Sequence, residues 1–268
     1  MEQQRLAGQV ALVTGGGRGV GRAVCLALAR EGARVAPFSR RADEVAATVD
    51  MARALGGEGL PLSGDVGDYA AVEAEVATLL RLWGRLDIVV NNAGMVAPIK
   101  RLWEADPAAW QRNITTNLVG AFNVCRAALP HMLERGSGCI INVSSGAARG
   151  PVAGWSAYCA AKAGLDHLTR VLIAEVEEYG VHVNVVYPGV IDTRMQAEIR
   201  DAGEKSFGRE NLARFRGYKE QGVLRAPEEP AALITWVAAS PDVRGEFLSI
   251  DDPATMQRAG LPPGTLRG

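Results

Sequence analysis

Short apolar, β-branched runs alternate with helix-period segments along almost the whole of this 268-residue chain. Few folds accommodate that alternation. Strands are expected at Val10–Val13, Ala33–Phe38, Leu60–Ser63, Asp87–Asn91, Cys139–Val143, Val181–Val186 and Phe247–Ile250. Helices are expected at Val20–Glu31, Asp43–Leu55, Tyr69–Trp83, Pro107–Leu133 and Trp155–Tyr179, with another after Pro227. Such an order implies a mainly parallel sheet with helices on both faces. Ligands on these sheets bind beyond the carboxyl ends of the strands, and most of the chemistry-bearing residues fall there. With no linker or internal repeat, the chain reads as a single α/β domain over residues 1–268.

Charge excludes some functions. The chain carries 29 basic and 30 acidic side chains, for a net charge of −1. That balance argues against binding nucleic acid or a membrane surface through bulk electrostatics. The N-terminal residues lack a signal-peptide pattern, and no run nears the roughly 20 apolar residues of a spanning helix. The expectation is a soluble, cytoplasmic protein. Cys25, Cys125, Cys139 and Cys159 form no C-x-x-C pair and read as buried free thiols. His131, His167 and His182 are scattered, so no metal site is expected.

Lys162 follows Tyr158 by four residues, and Ser145 precedes Tyr158 by thirteen. Helix positions i and i+4 share a face, so the ammonium can lie beside the phenol. A free phenol has a pKa of about 10, and a nearby cation lowers it. Such a phenol can exchange a proton with a carbonyl or alcohol near neutral pH. Taken alone, the pair is equally an aromatic and a solvated lysine on a plain helix.

Thr14-Gly15-Gly16-Gly17-Arg18-Gly19-Val20-Gly21 joins the first strand to the first helix. Glycine permits close backbone approach, and a helix N-terminus offers free N–H groups to a diphosphate. An ordinary tight turn is the plainer reading. Asn91-Asn92-Ala93-Gly94 follows the fourth strand, Asn117 sits in the long helix, and Pro188-Gly189 with Thr193 follows the sixth strand. Together with Ser145, Tyr158 and Lys162, these segments resemble the short-chain dehydrogenase/reductase family over essentially the whole chain. The resemblance implies a Rossmann fold, with a doubly wound sheet in the order 3-2-1-4-5-6-7 and a nicotinamide dinucleotide cofactor. It places Gly15, Gly17, Arg18, Gly19, Val20, Gly21, Asn91, Ala93, Gly94, Tyr158, Lys162, Pro188, Gly189, Ile191 and Thr193 around that cofactor. Asn91 also reads as a brace between strands. Asp65-Val66 resembles the family's adenine-binding pair, although Asp65 is equally readable as a helix N-cap.

An acidic residue after the second strand favours NAD through the ribose hydroxyls. Here Phe38-Ser39-Arg40-Arg41 has no carboxylate. Ser39 stands where NAD-preferring relatives carry aspartate, while Arg40 and Arg18 can grip a 2′-phosphate. The alternative is solvated surface arginines. NADP(H) is therefore the expected cofactor, with NAD(H) possible.

By resemblance, Ser145 steadies the substrate oxygen and Tyr158 transfers the proton. Lys162 holds the ribose and lowers the Tyr158 pKa, and Asn117 positions a water linking Lys162 to solvent. Ser144 is the alternative serine. Substrate walls are expected from Gly146–Trp155, Val96–Trp103 and the segment after Pro188, including Val96, Arg149, Trp155, Tyr187 and Met195. The stretch Met195–Leu224 reads as a lid or as a plain amphipathic surface helix.

Gly154–Cys159 with Asp192–Gln196 is similar to the sepiapterin and benzil reductases, implying a dicarbonyl. Ser249 replaces the pterin-anchoring aspartate of sepiapterin reductases. A 3-oxoacyl thioester reductase is the other alternative. The resemblance also implies a homodimer or homotetramer, although Arg244–Pro253 departs from the usual tail. The non-enzymatic rival is an NADP-binding sensor or scaffold that kept the fold.

Overall fold

The computed structural model describes residues 4–262. Strand β1 (Val10–Thr14) is buried at every position, as a central strand of a sheet covered on both faces must be. Its side chains alternate between faces. Ala11 and Val13 join one apolar cluster, and Val10 and Leu12 join another. The remaining strands are β2 (Arg34–Ser39), β3 (Leu62–Ser63), β4 (Ile88–Asn91), β5 (Gly138–Val143), β6 (Val181–Tyr187) and β7 (Phe247–Ser249). They form a seven-stranded sheet in the order β3-β2-β1-β4-β5-β6-β7. Each pairing is parallel. This is the expected Rossmann order.

The helices are α1 (Gly19–Arg30), α2 (Ala42–Ala54), α3 (Tyr69–Trp83), α4 (Pro107–Ile114), α5 (Gly120–Arg135), α6 (Ser156–Val176), α7 (Arg194–Arg200), α8 (Glu204–Phe207), α9 (Arg209–Glu220), α10 (Glu228–Ala238) and α11 (Pro253–Arg258). On one face, α1 and α10 contribute Val24, Leu28, Leu233 and Val237 to the core. On the other, α3, α5 and α6 contribute Val76, Leu79, Val124 and Leu172.

Three segments depart from the sequence expectation. The helix expected over Pro107–Leu133 is divided by a π-helical turn at Thr115–Val119. This wide turn carries the buried Asn117, and Asn113 sits one turn earlier; both side chains bond the chain at Met95–Ala97. The stretch 195–224 is neither a loop nor one helix, but contains most of α7 and all of α8 and α9. Helix α11 was not expected, although Asp252-Pro253 encodes its start: Asp252 accepts from the Thr255 N–H at 3.0 Å, and proline occupies the first turn. Of the cysteines, Cys25 and Cys125 are buried, while Cys139 and Cys159 are only half-buried. Among the described residues, no helix is long and apolar enough to cross a membrane.

Candidate active site

A cleft of about 710 Å³ opens at the carboxyl ends of the strands. The glycine turn forms its floor. Gly21 lies so close to the turn that a Cβ there would sit 2.2 Å from the Gly15 carbonyl oxygen. Gly15 adopts φ +64°, a left-handed conformation that favours glycine. The turn is tied to the fourth strand's end: the Thr14 hydroxyl accepts from the N–H groups of Asn92 and Ala93, each at 3.0 Å. The N-cap residue of α1, Arg18, makes no side-chain cap bond, and the first turn of α1 has no acidic residue. Its free N–H groups and positive dipole end therefore remain for an anion. Gly15, Gly17, Gly19 and Val20 all line the cleft. Glycines that side chains would fill, beside an uncapped helix start, fit a dinucleotide diphosphate.

Tyr158 and Lys162 project from α6 into the same cleft. Tyr158 is 8% exposed and Lys162 5%. The Lys162 ammonium donates to the Val143 carbonyl at 2.8 Å and lies 5.9 Å from the centre of the Tyr158 ring. Burial pushes the Tyr158 phenol above its ordinary pKa, while its hydrogen bond with Ser145 pulls the other way. Burial pushes the Lys162 pKa down to about 8, against the pull of Asp166.

The two serines have separate partners. Ser144 donates to Asp166 at 2.5 Å, and Asp166 also accepts from the Tyr187 hydroxyl at 2.6 Å. Ser145 is the serine bonded to the phenol. Asn117 is 1% exposed, and its side chain is hydrogen-bonded within the protein. It donates to Met95 O at 2.8 Å and to Asn113 Oδ1 at 2.8 Å, and accepts from Met95 N at 3.1 Å. Asn91 lines no part of the cleft; its amide donates to Asn142 Oδ1 at 2.9 Å, bracing β4 against β5.

At the other end lie Ser39, Arg40, Arg18, Asp65 and Val66, all in the cleft wall. Asp65 is not the cap of α3. Asp68 takes that role, accepting from Ala70 N at 3.0 Å, while Asp65 accepts from Gly67 N at 2.9 Å and keeps its other oxygen toward Arg40. Glu44 also lines this end. It comes from the first turn of α2, where Asp43-Glu44 reads simply as the acidic start of a helix.

On the substrate side, Met195, Pro188, Ile191 and Thr193 line the cleft. Gly189 packs instead against Arg225 and Ile250. Val96 is fully buried in an apolar cluster with Trp155, Ile199, Phe207 and Phe215, and its carbonyl accepts from the Asn113 amide at 3.2 Å. Trp155 is 5% exposed, stacked on Phe207 at 5.4 Å and edge-on to Tyr158 at 5.5 Å. Its indole Nε1 has no hydrogen-bond partner in the protein. Arg149 and Tyr187 line none of the cleft; the Arg149 guanidinium lies 3.8 Å over the Tyr187 ring.

Residues 9–204 match the family model for short chain dehydrogenases. The chain is 39% identical to the hydroxy(phenyl)methylsuccinyl-CoA dehydrogenase subunit BbsD of Thauera aromatica, covering 86% of this chain and 89% of that one. It is 34% identical to the 3-oxoacyl-(acyl-carrier-protein) reductase of Thermotoga maritima, covering 92% and 98%. It is also 34% identical to a benzil reductase of Bacillus subtilis, covering 81% and 88%. Among solved structures, it superposes on a metagenomic short-chain oxidoreductase in complex with NADP with TM-score 0.75 and 30% identity, covering 91% and 97%. Carveol dehydrogenase from Mycobacterium avium in complex with NAD gives TM-score 0.79 and 27% identity, covering 91% and 96%. With the sheet order, the glycine turn and the extent of these matches in agreement, the chain belongs to the short-chain dehydrogenase/reductase family of oxidoreductases.

Proposed function

We propose that the chain is an NADP(H)-dependent oxidoreductase that interconverts a carbonyl and a secondary alcohol, with Tyr158 as proton donor in one direction and acceptor in the other. The carrying observation is the buried Tyr158 phenol in a cleft shared with Lys162 and the glycine turn. The nicotinamide supplies or takes the hydride, and that chemistry is the cofactor's own. Ser145 donates to the substrate oxygen as charge develops, and Tyr158 exchanges the proton with that oxygen. Lys162 spends one donor on Val143 O and turns its others to the ribose hydroxyls. Asn117, in the widened turn, positions a water that links Lys162 to solvent.

The N-terminus of α1, with Gly15, Gly17, Gly19, Val20 and the supporting Gly21, holds the diphosphate. Asp65 and Val66 hold the adenine, and Ser39, Arg40 and Arg18 hold a 2′-phosphate. Ala93, Gly94, Pro188, Ile191 and Thr193 enclose the nicotinamide half. The NADP-bound relative supports this choice and the NAD-bound one keeps NAD(H) open. Residues 195–224 act as the lid, closing Phe207 and Phe215 onto Trp155. The protein works in the cytoplasm as a homodimer or homotetramer.

Two substrate classes are favoured by particular observations. An aryl ketone or vicinal dicarbonyl is favoured by the hydroxy(phenyl)methylsuccinyl-CoA dehydrogenase and benzil reductase relatives. A 3-oxoacyl thioester is favoured by the Thermotoga maritima relative. The test is NADPH oxidation against diketones, aryl ketones, quinones, acyl thioesters, sugars and steroids, repeated with NADH. Reduction of at least one class with a higher kcat/KM for NADPH is expected. NADPH binding without reduction of any would support the sensor reading instead, and a higher kcat/KM with NADH would reverse the cofactor assignment.

A further inference from the structure

Each arginine at the adenosine end of the cleft already faces a carboxylate. Arg18 Nη1 lies 4.0 Å from Glu44 Oε1, and Arg41 Nε lies 3.1 Å from the same oxygen. Arg41 Nη2 is 3.3 Å from Asp43, and Arg40 Nη1 is 3.8 Å from Asp65. The acids differ in their freedom to leave. The Asp43 and Asp65 side chains are 72% and 48% exposed, whereas that of Glu44 is 20% exposed.

Glu44 is also fastened to the glycine turn. The Thr48 hydroxyl donates to the carbonyls of Gly16 and Glu44, each at 3.0 Å. Arg22 donates to Gly17 O and, at 3.2 Å, to that same hydroxyl. Gly17 has no side chain where one would stand 2.7 Å from Glu44 Cβ. This packing fixes the stem of Glu44 beside the loop and leaves its carboxylate in the cleft wall. A first-turn acid complements the helix dipole, but Asp43 in the same turn, at 72% exposure, already does so from solvent.

Building on the reading of Arg18 and Arg40 as the 2′-phosphate site, we propose that Glu44 is a specificity-determining residue that opposes the 2′-phosphate. It competes for Arg18 and Arg41 and holds a like charge beside the incoming group. A ribose 2′-hydroxyl can instead donate to the same carboxylate. Glu44 therefore narrows the preference for NADP(H) and keeps NAD(H) usable, a role that a carboxylate supplied by α2 performs without an acid at the end of β2.

The test needs no substrate. The cofactor-free protein is titrated calorimetrically with 2′,5′-ADP and with ADP, as wild type, Glu44→Gln, Glu44→Ala and Arg40→Gln. Glutamine keeps the shape and an acceptor while removing the charge. Both Glu44 variants should bind 2′,5′-ADP about three- to tenfold more tightly, with the gain shrinking toward about 0.5 M salt. ADP affinity of Glu44→Gln should stay within about twofold, since ADP carries no 2′-phosphate for the carboxylate to oppose and glutamine keeps an acceptor for the 2′-hydroxyl. Unchanged or weaker 2′,5′-ADP binding by folded Glu44→Gln would overturn the proposal, as would an equal gain for ADP. Failure of the underlying reading looks different: wild type would favour ADP, or Arg40→Gln would leave 2′,5′-ADP binding unaltered. In that case a selective gain in Glu44→Gln would still support the opposing charge.

Discussion

At the Tyr158 end of the cleft the functional groups are buried and each has a fixed partner. Lys162 is bonded to Val143 O, Ser144 to Asp166, and Asn117 to the Met95 backbone. At the Arg40 end the groups are charged, largely exposed and joined by pairs of 3.1 to 4.0 Å. Such exposed pairs contribute little to stability, whereas unpairing a buried polar group is costly. The difference separates two tasks. One end holds a reacting geometry, which tolerates little movement. The other discriminates between ligands by a balance of charges, which a single substitution can tilt.

Substitutions at the two ends should therefore fail differently. Among substitutions of the residues that support the phenol, the largest effect is expected from Lys162→Met, which removes the ammonium from a site it shares with Tyr158. Turnover of the best substrate should fall about 100-fold or more; a loss below tenfold would break the assignment. Next is Asn117→Ala. It strands the Met95 backbone groups and the Asn113 amide, so chemical denaturation should report a loss of about 2–4 kcal/mol. A loss below about 0.5 kcal/mol would mean the wide turn stands without it.

The third expected effect concerns pH and the cofactor-free protein. Lys162 has a pKa of about 8 in the fold against 10.5 as its ordinary value. Between those values the unfolded chain binds the extra proton, so the cost of burying the ammonium, felt in full below about pH 8, fades as pH rises. Wild type should therefore gain stability relative to Lys162→Met by about 1 kcal/mol per pH unit from pH 8 to 9. A flat difference would contradict the buried ammonium. The smallest effect belongs to the exposed end. Arg40→Gln should leave the Tm unmoved and lower the ratio of kcat/KM for NADPH over NADH about tenfold. A large drop in Tm would erase the contrast between the ends.

The same contrast governs what the sequence discloses. Strand positions followed from apolar runs, since β1 must be buried on both faces. The Tyr158–Lys162 spacing places both groups on one helix face with no further information. What escaped the sequence depends on tertiary approach. Glu44 is near in space to Gly17 only because α2 packs its first turn on the glycine turn. Val96 falls inside because it packs with Trp155, Phe207 and Phe215, which come from distant segments, and the Tyr187 hydroxyl is held by Asp166. The division of the helix after Pro107 is marked by no proline or glycine at Thr115. It accompanies the anchoring of Asn113 and Asn117 to a loop that is distant in sequence. The helix at Pro253, by contrast, carried a legible cap in Asp252.

The central claim is that the Tyr158 phenol carries the proton. The direct measurement compares NADPH oxidation by wild type and Tyr158→Phe on the best carbonyl of the panel, with NADPH binding titrated in both. The account predicts that the variant binds NADPH within about threefold of wild type and loses about 10²- to 10⁴-fold in kcat. A variant that binds NADPH normally and turns over at near wild-type rate would contradict it.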